Sequence, residues 1–162
     1  MRLFELFDTP GKWKWVGQSE GGGGADVFIG EYRYNVLIDE NPFNHLERAA
    51  STLDNEVPDW LKKLADEDPT TFSIEFEFED RQGILKRYGN KYGITGTGHQ
   101  YKLFTTVMDI MKDFSQRYGV EWWTFTAHEP SRKKLYDRMV SKFGRKYFIL
   151  DIGEERHYVV QA

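Results

Sequence analysis

The chain has 162 residues, 40% of them hydrophobic and 16% aromatic, enough for one well-filled core. Its formal net charge of −4 argues against nonspecific nucleic-acid binding. Zero cysteines exclude disulfides, thiolate metal sites and cysteine nucleophiles together. No stretch approaches the roughly 18 apolar residues that a membrane helix needs, and acids interrupt the first residues where a secretory leader would be apolar. A single domain, resident in the cytoplasm, is expected.

In chain order, Lys12–Val16 alternates and reads as a strand, and Gln18–Gly24 reads as a glycine-rich turn or loop. Ala25–Glu31 and Tyr32–Asp39 carry β-branched and aromatic residues at mostly alternate positions, as in a meander. Asn41–Asn44 breaks the sheet. Short helical segments are expected at Asn44–Ser51 and Pro58–Ala65, the second ending near Asp68 and Pro69. Thr71–Glu79 alternates most strictly, with Phe72, Ile74, Phe76 and Phe78 on one face and Ser73, Glu75, Glu77 and Glu79 on the other.

A loop is expected from Asp80 to Lys91, then a glycine segment. The helix after it runs to about Tyr118 on the stripe Leu103, Phe104, Val107, Met108, Met111, Phe114 and Tyr118, with Gly119 suited to its end. Val120–Ala127 is apolar enough for a strand covered on both faces. Pro130 starts a helix to about Lys142, and Lys146–Ile152 and His157–Gln161 form a hairpin. The order describes an α/β (α+β) fold: a mixed, mostly antiparallel sheet of about seven strands with flanking helices.

Charge is segregated along this order. Ten acids lie between Asp54 and Asp80 against Lys62 and Lys63, while seven bases lie between Arg132 and Lys146 against Asp137. Such runs are either solvated faces or the two sides of a cleft with oppositely charged ligands.

Gly93, Gly96 and Gly98 sit at the mouth of the long helix, where backbone N–H groups and the helix dipole favour an anion. Two phosphate motifs fail on spacing. His99 and Gln100 stand where a P-loop needs Lys and Ser/Thr, and Tyr101 stands where a dinucleotide fingerprint needs a small residue.

Gly93-Ile-Thr-Gly-Thr-Gly98 resembles the Gln/Arg-x-x-Gly-x-Gly/Ala turn of the GNAT acyltransferase superfamily, with Gly93 at the Gln/Arg position. Glu129-Pro-Ser-Arg-Lys-Lys-Leu-Tyr136 resembles its Asn-x-x-Ala/Ser-x-x-Leu-Tyr segment, with Glu129 at the Asn position. The pair of motifs is also similar to that of small, divergent GNAT-like proteins of bacteriophages, and the likeness covers about Phe72 to Val160.

The resemblance implies acetyl-CoA as cosubstrate and direct acyl transfer to an amine, a small polyamine or a protein group. It implies that Ile94, Gly96, Thr97, Gly98 and His99 line the pyrophosphate, that Phe78 or Glu79 lies beside the pantetheine arm, and that Lys102 or Arg132 meets an outer phosphate. Glu129 and Ser131 fall in the segment that contacts the cofactor, and Tyr136 matches the acid that protonates the leaving thiolate.

Glu75, Glu77 and Glu79 are candidate bases, since neighbouring carboxylates raise one another's pKa when partly buried. Each residue also has a structural reading: the glycines as a helix cap, Tyr136 as a core tyrosine, the glutamates as a wet sheet face. His45, His99, His128 and His157 are scattered and imply no metal. Ser131 lacks a nucleophile elbow and suits a helix start. Trp13, Trp15, Trp122 and Trp123 interleave with few bases, so stacking on nucleic acid is not expected and most of them should lie in the core; no membrane partner is expected either. The alternative to an enzyme is a noncatalytic GNAT-fold phage virion or host-interaction protein with a degenerate cofactor cleft.

Overall fold

The computed structural model describes residues 10–41, 57–79, 85–87, 100–128, 130–143 and 146–162. Eight strands and three helices are found among them: β1 (Lys12–Ser19), β2 (Gly22–Ile29), β3 (Tyr32–Asn41), α1 (Asp59–Glu67), β4 (Thr71–Glu79), β5 (Leu85–Arg87), α2 (Gln100–Tyr118), β6 (Trp122–Ala127), α3 (Pro130–Phe143), β7 (Tyr147–Ile152) and β8 (Glu155–Gln161). The strands follow the order β1-β2-β3-β4-β6-β8-β7, and the short β5 pairs with β4. β4 and β6 are parallel, with Thr71 opposite Trp122 and Phe72 opposite Trp123, while β1–β2, β2–β3, β4–β5, β6–β8 and β7–β8 are antiparallel. The sheet is therefore mixed and mostly antiparallel, as the strand and helix order requires.

The chain packs as two compact units, Met1–Asp39 with Ile74–Gly119 and Glu40–Ser73 with Val120–Ala162, so β4 contributes to both. In the first unit β2 and β3 bury Ala25, Val27, Ile29, Tyr34, Val36 and Ile38. The α2 stripe buries Leu103, Phe104, Val107, Met111 and Phe114, joined by Ile110, while Met108 and Tyr118 are only partly covered. Gly119 ends the helix at φ 66°, the left-handed conformation that glycine adopts without penalty.

Thr106 ties α2 to the start of β1 from a fully buried position. Its hydroxyl accepts the Gly11 N–H at 2.7 Å and donates to the Lys102 carbonyl at 2.6 Å.

Two expectations change in this unit. The glycines placed in a loop are strand residues: only Glu20 and Gly21 form the turn, and Gly22, Gly23 and Gly24 open β2. Close packing explains their presence. A Cβ on Gly22, at φ 153°, would lie 2.3 Å from the Ile38 carbonyl oxygen, and one on Gly23 would lie 3.1 Å from the Trp15 ring. The expected loop after β4 contains β5, whose Leu85, Lys86 and Arg87 pair with Glu79, Phe78 and Glu77. Three residues are too few for periodicity to reveal a strand.

The second unit is a sheet covered on both faces. Pro58 precedes α1, whose Leu61 and Leu64 pack with Trp122, Leu150 and Val159; Asp68 stops the helix in the left-handed region. Alternation along β6 sends Phe125 to the other face, against Tyr136 of α3. This double cover is why β6 is buried almost throughout, as its apolar sequence implies. Where β3 ends and β4 begins, the buried Thr71 hydroxyl donates to the Asn41 carbonyl, and the Asn41 amide donates to Thr124 Oγ1 of β6 at 2.7 Å.

Candidate functional site

The glycine segment runs directly into α2. Ile94, Gly96, Thr97, Gly98 and His99 lie outside the described residues, and α2 begins at Gln100 immediately after them. The first turn of α2 holds no acid and contains Lys102, which is partly buried. First-turn N–H groups, which have no partner within a helix, the positive end of the helix dipole and a lysine together favour a bound anion.

Glu77, Phe78 and Glu79 close β4, and the backbone there is paired to β5. Glu75, two residues earlier, is exposed. The partial burial expected to make this carboxylate a base near neutrality is absent at that position, because the alternation that buries Ile74 and Phe76 turns Glu75 to water.

Tyr136, the candidate acid, is 2% exposed. Its ring meets Phe125 edge-on at 4.9 Å and Tyr158 at 5.6 Å, with interplanar angles of 69° and 88°. Phe125 in turn stacks on Tyr158 at 5.1 Å. The expected amphipathic core position is therefore met, and any acid role must work from within this aromatic cluster. Of the remaining residues in this segment, Glu129 lies outside the described residues, Ser131 is the second residue of α3, and Arg132 is partly buried in its first turn.

A polar clamp fixes α3 next to Tyr136. The Tyr158 hydroxyl lies 2.7 Å from Asp137 Oδ1 and 3.1 Å from the Lys133 carbonyl, and can donate to either. Arg156 donates to Asp137 Oδ2 at 2.9 Å and, through two nitrogens, to Asp151 at 2.7 and 3.2 Å. Burial, reinforced by the Asp137 hydrogen bond and charge, raises the Tyr158 pKa above the usual tyrosine value. Its hydrogen bond to Asp151 raises the Arg156 pKa, and the same bond lowers that of Asp151.

A second cluster lies where the sequence showed only scattered histidines. His157 Nδ1 is 3.2 Å from Thr126 Oγ1, and His157 Nε2 is 3.1 Å from Glu155 Oε2. The other oxygen, Glu155 Oε1, is 3.5 Å from His128 Nδ1. The alternation of Glu155 and His157 on one strand was a legible signal. Their meeting with Thr126 and His128 depends on the β6–β8 register, which pairs Thr126 with His157. Among the described residues no group of three or more His, Asp or Glu side chains can hold a metal ion. No described helix is long and apolar enough to cross a membrane.

No protein-family model matches the chain, and no curated protein or solved structure matches it at a significant level.

Proposed function

We propose that the protein is an acetyl-CoA-dependent N-acyltransferase that moves an acyl group directly to an amine. The observation that carries this reading is the start of a 19-residue helix immediately after the Gly93–His99 segment, within a connection between the parallel strands β4 and β6. Helical connections between parallel strands start, as a general rule, on the side of the sheet where the first strand ends, and open sheets bind ligands on that side.

In this reading the glycine-rich segment, with the N–H groups of the first turn of α2, receives the pyrophosphate, and Lys102 supplies a cation. Arg132 is the alternative cation that the resemblance offers for the outer phosphate. Glu129 and Ser131 belong to the same cofactor-contacting segment, and Phe78 flanks the pantetheine arm. The amine nitrogen attacks the thioester carbonyl, the carbon–sulfur bond breaks, and Tyr136 protonates the sulfur. The acidic end of β4, Glu75 to Glu79, suits a cationic acceptor such as a polyamine, a lysine side chain or a protein N-terminus.

Calorimetric titration with acetyl-CoA tests the reading, and no binding at millimolar ligand sinks it. One observation favours a second reading. Tyr136 is enclosed by Phe125 and Tyr158, which suits a noncatalytic module of the same fold acting through a phage or host protein. Acetyl-CoA binding without any thiol release would select that second reading.

A further inference from the structure

β1 and β7 end the strand order, and the two edges differ. β1 carries exposed Lys12 and Lys14 and a register shift between Trp15 and Gly17, devices by which a sheet edge resists a further strand. β7, Tyr147-Phe-Ile-Leu-Asp-Ile152, has no lysine or proline, and its pairing with β8 runs without a register shift. All of its residues but Asp151 are apolar or aromatic, and Tyr147 and Ile152 are 46% and 37% exposed. Among the described residues no strand pairs with its outer side. We propose that this edge joins two copies of the chain, each adding its β7 antiparallel to the other's, whether or not the chain is an acyltransferase.

Backbone directions select the register. The Gln161 N–H donates to the Lys146 carbonyl at 2.9 Å, so Lys146 turns its backbone groups toward β8. In an antiparallel ladder these directions alternate from residue to residue. Phe148, Leu150 and Ile152 therefore also bond inward, whereas Tyr147, Ile149 and Asp151 present N–H and C=O groups to the open edge. A two-fold axis at Ile149 sets that residue opposite itself and Tyr147 of each copy opposite Asp151 of the other. Every outward residue then exchanges a pair of hydrogen bonds. Moving the axis by one residue in either direction leaves Tyr147 or Asp151 without a facing partner in the other β7.

Charge complementarity favours a second copy in this direction. β7 is preceded by exposed Lys146, and it ends in Asp151 and, in the turn to β8, exposed Glu154. Antiparallel pairing lays the cationic start of each copy along the anionic end of the other. Lys146 falls opposite Ile152 and diagonal to Glu154, and Tyr147 comes opposite Asp151, where a phenol can donate to a carboxylate. Parallel pairing in register would set Asp151 beside Asp151. Side chains also keep their faces in the antiparallel register, so Phe148 meets Leu150 and Ile149 meets its own copy. One short strand from each copy makes a small contact, and interfaces below roughly 1,200 Å² form weak dimers.

The test uses the full chain. Sedimentation equilibrium between about 10 µM and about 1 mM should show monomer and dimer in exchange. Over that range, hydrogen exchange read by NMR should show the Tyr147, Ile149 and Asp151 amides gaining protection with concentration, while those of Phe148 and Leu150 stay protected at every dilution. Ile149→Pro removes an outward N–H and leaves the β7–β8 bonds in place, so it should keep its circular dichroism and stay monomeric. Lys146→Glu puts an acid beside Glu154 of the other copy and should raise the dissociation constant about threefold or more. A monomer at the top of the range overturns the proposal, as does a dimer whose formation leaves the three amides unprotected. Protection of those amides at every dilution, or a dimer retained by folded Ile149→Pro, overturns it too. If Ile149→Pro does not fold, the exchange pattern of the wild type decides.

Discussion

The indole N–H of Trp15 donates to Asp113 Oδ2 at 2.8 Å, and Trp13, two residues earlier on the same strand, donates to Asp109 Oδ2 at 2.8 Å. The two bonds match two periods. A strand advances about 6.6 Å in two residues and a helix about 6 Å in four, so both donors meet both acceptors without distortion. Trp15 also packs on Phe114 at 6.0 Å, which fixes β1 against α2 by apolar and polar contacts together.

Trp15→Phe should destabilise the protein by about 1–2 kcal/mol, because it keeps a ring but removes the donor. Asp113 keeps its contact with Arg117 at 2.8 Å in that variant, which limits the loss. A double-mutant cycle with Asp113→Ala, read by urea unfolding, should show coupling of about 1 kcal/mol. Strict additivity would show that the bond contributes nothing.

Gly22→Ala should cost roughly 2 kcal/mol or more, since its φ of 153° and the Ile38 carbonyl oxygen both oppose a Cβ. Gly21→Ala is the control, with nothing within 4 Å of the added carbon. Its unfolding midpoint should stay close to that of wild type, and equal effects at the two sites would contradict a close approach between β2 and β3.

Tyr158→Phe should reduce stability by about 1–2 kcal/mol near neutral pH, because Asp137 loses its hydroxyl partner while keeping Arg156. The sign of the pH effect follows from the raised pKa. Above pH ~10 the unfolded chain ionises this tyrosine while the folded chain holds it neutral, so stability falls as pH rises, by up to about 1.4 kcal/mol per unit. Denaturant titrations between pH 9 and about 11 should show a shallower decline in Tyr158→Phe than in wild type.

Tyr136→Phe should slow thiol release by about 100-fold with little change in acetyl-CoA affinity, because it removes the acid and keeps the ring. Its aromatic contacts with Phe125 and Tyr158 do not require the hydroxyl, so circular dichroism should still report the native fold. An unimpaired rate would assign Tyr136 to packing alone.

Local periodicity alone determined the α2 stripe, the Phe72–Phe76 face of β4, the doubly covered β6 and the placing of the glycine segment before a helix, since each is a pattern within one element. Those patterns arise because side chains repeat every 3.6 residues on a helix and every two on a strand. Tertiary structure alone decided the rest. Gly22 and Gly23 belong to a strand because of what approaches them from β3 and β1, and β5 exists because it pairs with the end of β4. His128 meets Glu155, and Trp15 meets Asp113, through strand register and strand-to-helix packing between residues far apart in the chain. Such pairs leave no period in the sequence, because the partner of each residue is set by how whole elements align.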